Sequence, residues 1–165
     1  MSFVMWQRGN MEISLLAEHP HEVSKIASWY FREWASKVPN VTEKMVQEDI
    51  ALKATNQAMP LSIVAHENGS LVGTLELKFR ENKNYLEYVN WVGGVYVPAE
   101  HRGNGIAKKL LSEAKNIAVD FGVKALYLQC ESKNVGLYLG QGFTSLHQST
   151  SNQVETTIMV WHAAT

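Results

Sequence analysis

At 165 residues the chain is the size of one domain, and such a domain buries roughly two thirds of the surface its unfolded chain exposes. Its composition, 45% hydrophobic and 19% charged, is ordinary for a globular protein, and a net charge of −1 gives no electrostatic ground for a nucleic-acid or anionic-membrane partner. A single cysteine, Cys130, excludes an intramolecular disulfide and gives no sign of an oxidising compartment. No run approaches the ~18 apolar residues of a membrane span, so a cytoplasmic protein is expected.

Residues 1–10 lack the basic head and long apolar core of a signal peptide and suggest an irregular extension. A first strand is expected over residues 13–17, ended by His19-Pro20. His19 and His21 have no cysteine or carboxylate cluster at ligand spacing, so they read as surface or capping residues and no metal is expected. From residue 21 to about 37 the pattern is helical, with Val23, Ile26, Tyr30 and Trp34 on one stripe and Val38-Pro39-Asn40 closing it. The cluster Trp29-Tyr30-Phe31-Trp34 suits the packing of large side chains. Thr42 is a natural N-cap for a second helix running to about residue 57, before Met59-Pro60.

Strands are expected over 61–66 and 71–79, joined at Asn68-Gly69, a pair suited to a tight hairpin turn. A polar connection, 81–84, leads to a strand over 85–97 that is long for its type, with Gly93-Gly94 where a bulge would sit. Pro98 stops it, and the Gly-rich turn around Gly103 and Gly105 opens a helix. Ile106, Leu110, Leu111, Ala114, Ile117, Ala118 and Phe121 keep one face of that helix, and Gly122 ends it. Residues 124–130 form a strand parallel to the one before the helix, the only clear βαβ unit. A short helix over 133–140 and a hairpin of strands 143–148 and 154–161 complete the chain. The fold class is α+β: one mixed, mostly antiparallel sheet of about seven strands with helices on both faces, in the order β-α-α-β-β-β-α-β-α-β-β.

The strand, turn and helix around residue 103 carry a chemical implication. Gly103 and Gly105 let the backbone approach a ligand closely, and the free N–H groups of the first helical turn suit a phosphate or pyrophosphate. The triphosphate loop G-x-x-x-x-G-K-[ST] does not fit, since Gly105 follows Gly103 by two residues and no Lys-Ser or Lys-Thr pair comes after. The dinucleotide fingerprint would need glycine where Lys108 stands; Glu131 matches its distal acid only loosely, and its βαβ unit would repeat.

The run Arg102-Gly103-Asn104-Gly105-Ile106-Ala107, between Val-Tyr-Val-Pro and Lys-Lys-Leu-Leu, resembles the acetyl-CoA-binding motif [QR]-x-x-G-x-[GA] of the GNAT acyltransferase superfamily. Glu100 stands where that motif has Gln or Arg. Leu126-Tyr127-Leu128-Gln129-Cys130, then Asn134, Tyr138 and Gly142-Phe143, resembles the family's next strand, short helix and L-Y-x-x-x-G-F ending. The resemblance covers most of the chain in outline and is specific from about Trp91 to Phe143.

It implies an acetyl-CoA-dependent N-acetyltransferase acting on a primary amine. Backbone N–H groups of residues 102–107 would hold the pyrophosphate, and Val95, Tyr96 and Val97 would line the pantetheine arm. Arg102 and Lys108 or Lys109 would add charge near the phosphates, and Asn134 would contact the cofactor. Acetyl transfer needs an acceptor for the amine's proton and an acid for the departing thiolate. The resemblance assigns the acid to Tyr138. Glu87 is the preferred base, with Glu76 and His147 as rivals. Trp29, Trp34 and Trp91 are expected at the acceptor pocket, against the alternative of core packing. Cys130 has no histidine beside it in sequence, which favours direct attack in a ternary complex over an acetyl-cysteine. A small-molecule amine is expected as partner, with no nucleic acid and no membrane; small enzymes of this type often form homodimers. The competing readings are a peptide N-terminal acetyltransferase and a non-catalytic acyl-CoA-binding module.

Overall fold

A computed structural model describes residues 10–151 and 153–165, the side chain of Ser151 excepted. Residues 1–9, read as an extension, lie outside the described residues. The elements run β1 (Met11–Leu15), α1 (Val23–Glu33), α2 (Glu43–Lys53), β2 (Leu61–Glu67), β3 (Ser70–Phe79), β4 (Asn90–Tyr96), α3 (Ile106–Asp120), β5 (Ala125–Cys130), α4 (Val135–Leu139), β6 (Thr144–Ser151) and β7 (Val154–His162). The seven strands form one sheet in the order β1-β2-β3-β4-β5-β7-β6. All neighbours are antiparallel except β4 and β5. The expected fold class and element order both hold.

Alternation along β2 and β3 loads the two faces differently. Leu61, Ile63, Ala65, Leu75 and Leu77 join Ile106, Leu110, Leu111, Ala114 and Ala118 of α3 in one buried cluster. Val64 and Leu71 face the other way, against Ile26, Ala27, Trp29 and Tyr30 of α1 and Ile50 of α2. Each such side chain fully removed from water contributes roughly 1.5–3 kcal/mol. Gly73 lets α3 lie close, since a Cβ there would stand 2.8 Å from Ile106 Cγ2 and 3.1 Å from Leu110 Cδ1.

Several boundaries differ from expectation. β1 starts two residues earlier, and residues 16–18 form a 3-10 turn. The first helix is Val23–Glu33, because Trp34 leaves the helical region at φ −128° and a separate 3-10 turn follows. Thr42 does cap α2, its Oγ1 accepting the Met45 N–H at 3.2 Å, but the helix ends at Lys53. β6 runs on through Ser151 rather than stopping at 148.

The largest correction concerns the strand expected from residue 85. β4 begins only at Asn90, and residues 80–89 form a closed loop whose ends meet through Arg80 N–H to Val89 O at 2.8 Å. Asn82 starts the turn by accepting the Asn84 N–H at 3.0 Å, and the Tyr85 N–H reaches Asn82 O at 3.2 Å. The rings of Tyr85, Tyr88 and Tyr127 then stack in a column, at 5.5 and 4.3 Å between centroids. These aromatic residues read as a strand locally, but their rings pack over β5 instead of pairing along β3.

Two irregularities in β4 open the sheet beside the Gly-rich loop. Thr74 pairs with Tyr96 but Glu76 pairs with Gly93, so β4 carries an extra residue, a bulge at the place expected, with Gly94 at φ +57°. β4 and β5 pair only at Trp91 and Tyr127, so the two parallel strands part beyond that point.

Candidate active site

The Gly-rich loop leaves β4 through Pro98 and a 3-10 turn, Ala99–His101. Gly103 and Gly105 both take positive φ, +84° and +77°, which a side chain would resist. Arg102 Nε donates to Val97 O at 2.9 Å, and Asn104 Nδ2 donates to His101 O at 3.2 Å, so these side chains fasten the turn. Arg102 also gives its own N–H to Ala99 O, at 3.3 Å, which removes it from the expected run of free donors. Among the described residues the N–H groups from Gly103 to Lys108 have no backbone acceptor. Gly103, Gly105, Ala107 and Lys108 border a groove of about 290 Å³ together with Val97 and with Leu137 of α4. Lys108 is exposed beside it.

Val95 and Val97 pack half-buried on the α3 side, while Tyr96 meets Trp29 at 5.2 Å and Trp34 at 6.1 Å between ring centroids. Tyr138 is buried edge-on against Phe143. Burial, followed by Cys130 and Glu81, raises its phenol well above the ordinary range. Burial, then Glu131, pushes the Cys130 thiol up to about 11. A thiol so held is protonated at neutral pH and a poor nucleophile. Asn134 precedes α4, exposed, and its side chain makes no capping bond.

The other expected positions divide. Trp29 and Trp91 are core residues, 5% and 0% exposed, so packing accounts for both. Trp91 Nε1–H also donates to Tyr88 O at 2.6 Å. Only Trp34, 40% exposed and 5.4 Å from the Tyr30 ring, offers a surface to a ligand. Glu87, expected on the strand, lies exposed in the 80–89 loop instead, beyond the Asn90 end of β4 and opposite the Gly-rich loop. It borders a different hollow with Met59, Phe79, Phe121 and Val123.

On the face covered by α1 and α2, a chain of charged and polar groups crosses to the parting of β4 and β5. Lys53 of α2 pairs with Glu76, which is 5% exposed, and Lys78 Nζ stands 3.7 Å from the other Glu76 oxygen. Lys78 also pairs with Glu81 Oε1 at 3.2 Å. Gln129 of β5 donates to Glu81 Oε2 at 3.1 Å and accepts from Asn82 Nδ2 at 3.0 Å. Burial works against the Lys78 charge, but Glu76 and Glu81 outweigh it and raise its pKa. Tyr30 O–H donates to the Gly94 carbonyl at 2.7 Å, tying α1 to the bulge. Burial, then Glu76 and Glu81, raises that phenol too, against a hydrogen bond with Thr74. His147 is engaged on both nitrogens, by Tyr88 O–H at 3.0 Å and Gln148 O at 3.1 Å.

Sequence reading missed Glu81, Lys78, Gln129 and the tie from Tyr30. The one available signal was Glu76 and Lys78 at alternate positions of an apolar strand, a pattern that solvent exposure explains equally well.

Residues 21–143 match the family described as Acetyltransferase (GNAT) family. The chain belongs to the GNAT family. This GNAT protein is 38% identical over 61 residues to GCN5-related N-acetyltransferase 4, chloroplastic, of Arabidopsis thaliana, covering 35% of the chain and 21% of that relative. Its fold is that of an N-acetyltransferase from Staphylococcus aureus Mu50, with a TM-score of 0.72, 19% identity and coverage of 93% and 99% of the two chains. The yncA protein of Salmonella typhimurium, solved with its cofactor acetyl-CoA, superposes with a TM-score of 0.69 at 20% identity, covering 92% and 93%. Family membership supports an acyltransferase activity. Among the described residues no group of three or more His, Cys, Asp or Glu is placed to hold a metal, and no helix is long and apolar enough to cross a membrane.

Proposed function

We propose that this GNAT protein is an acetyl-CoA-dependent N-acetyltransferase that acetylates the primary amine of a small molecule by direct attack. The observation that carries this reading is the row of unpartnered N–H groups from Gly103 to Lys108, opening on a groove shared with the helix that bears Tyr138. The residues fit the cofactor: apart from the adjoining residues, nothing described lies within 4 Å of where a Cβ on Gly103 or Gly105 would stand, so a pyrophosphate can approach the backbone and the positive end of α3. Bound acetyl-CoA supplies an activated acyl carbon and a thiol leaving group.

The chain's own groups do the rest. The loop N–H groups hold the pyrophosphate, with Lys108 and the exposed guanidinium of Arg102 adding positive charge. The β5-facing edge of Val95, Tyr96 and Val97 offers backbone groups to the pantetheine arm, and Asn134 contacts the cofactor. The buried hydroxyl of Tyr138 keeps its proton at neutral pH and gives it to the departing sulfur. Trp34 stands at the acceptor side.

Calorimetric titration with acetyl-CoA tests the binding half of this reading. Wild-type protein is expected to bind, and Gly105→Pro to lose affinity about 100-fold or more, because proline cannot adopt the +77° φ and lacks the N–H. Tyr138→Phe should keep that affinity and lose about 100-fold in kcat. No binding by the wild type sinks the reading. Binding without turnover of any amine, and without an effect of Tyr138→Phe, would establish the non-catalytic module instead.

A further inference from the structure

The site has an acid in Tyr138 but needs a group to take the amine's proton. Glu87 lies beyond the far end of β4. Both ring nitrogens of His147 are engaged. Glu76 is enclosed between Lys53 and Lys78, with side-chain exposure of 6%, and acts as their counter-ion. Among the described residues Glu81 is a carboxylate that reaches both strands of the fork. Glu81 arches out of the closed 80–89 loop onto β4, where its Oε1 occupies the space that a side chain on Gly93 would need. Gln129, two residues past the last rung between β4 and β5, holds its Oε2. Glu81 therefore spans the point where the strands part, the place an amine must reach to meet an acyl group lying between them.

We propose that Glu81 is the proton acceptor for the attacking amine, aimed by Gln129 and Lys78. This rests on the acetyltransferase reading. The lone pair of the amine nitrogen forms the bond to the acyl carbon, and the N–H proton passes to a Glu81 oxygen. The carbon–sulfur bond breaks with its electron pair on sulfur, which takes the Tyr138 hydroxyl proton. The proton on Glu81 returns to the phenolate through solvent, so the cycle ends with amide, free thiol and both residues restored. Tyr138 and Tyr30 belong to the two buried clusters on opposite faces of the sheet.

Glu81→Gln keeps the size and hydrogen-bonding capacity of the side chain and removes its charge. It is expected to bind acetyl-CoA within about twofold of wild type and to lose about 100-fold in kcat/KM. The amine used is the one most rapidly acetylated in a panel of alkylamines, amino-acid amides and aminoglycosides. In Glu81→Ala, added formate should restore part of the lost rate, which it would not do for a residue that only supports the fold. Normal turnover by Glu81→Gln, or no rescue of Glu81→Ala by formate, overturns the role. Glu76→Ala is expected to melt earlier yet show no rescue by formate; rescue there would move the role to Glu76. Loss of acetyl-CoA binding in the wild type would instead refute the acetyltransferase reading itself.

Discussion

A methyl group added at Gly93 meets a different obstacle from one added at Gly94, its neighbour in the bulge. At Gly94 it would fall 2.5 Å from the Tyr30 hydroxyl oxygen and 2.8 Å from its ring carbon, while the backbone sits at φ +57°. Tyr30 is locked in the α1 core and cannot retreat. At Gly93 the obstacles are the ends of Glu81 and Lys78, which can swing away. Gly94→Ala is therefore expected to cost about 2–4 kcal/mol from strain and overpacking together. Gly93→Ala should cost clearly less. Thermal melts of the two variants check the order, and an equal loss would contradict it.

The 80–89 loop shows at the level of an element how a short polar stretch can hold a site together. Asn82 does two jobs there: it starts the turn through Asn84 and reaches across to Gln129. Asn82→Ala removes both and leaves Gln129 Oε1 without its donor, so a loss of about 1–3 kcal/mol is expected. Limited proteolysis should also find a new cleavage within 83–88; a loop as resistant as wild type would show that the tyrosine column alone suffices. This loop was also where the sequence misled. Tyr85, Tyr88 and Val89 carry the β-branched and aromatic character of a strand, and local pattern cannot reveal that Tyr127, about forty residues later, supplies the stacking partner. By contrast, the loop around Gly103 was legible because its requirement is local: positive φ, no Cβ and a helix start are all written in consecutive residues. The element order was legible for the same reason. Glu81 was not, since only the tertiary fold carries it onto Gly93.

Across the described residues, three buried weak acids are held neutral more firmly in the folded state than in the unfolded chain: Tyr30, Tyr138 and Cys130, the last pushed up to about 11, all chiefly by burial. Unfolding releases their protons first, once pH passes about 9 for the thiol and about 10 for the phenols. From there up to the folded-state values, stability falls by up to about 1.4 kcal/mol per pH unit for each group. Below about pH 9 their contribution is complete. The thermal midpoint is therefore expected to drop steeply between pH 9 and 11, and less steeply in Tyr138→Phe; a level midpoint across that range would refute the burial of these groups. The single rung between β4 and β5 has another consequence. Past Trp91 and Tyr127 the sheet is a seam left unsewn, with a backbone edge on either side. A molecule that bonded to both edges would serve as the missing thread, so occupancy and the integrity of the sheet become one quantity. At a hundredfold excess over its Kd such an occupant would add about 2.7 kcal/mol to the stability of the whole fold.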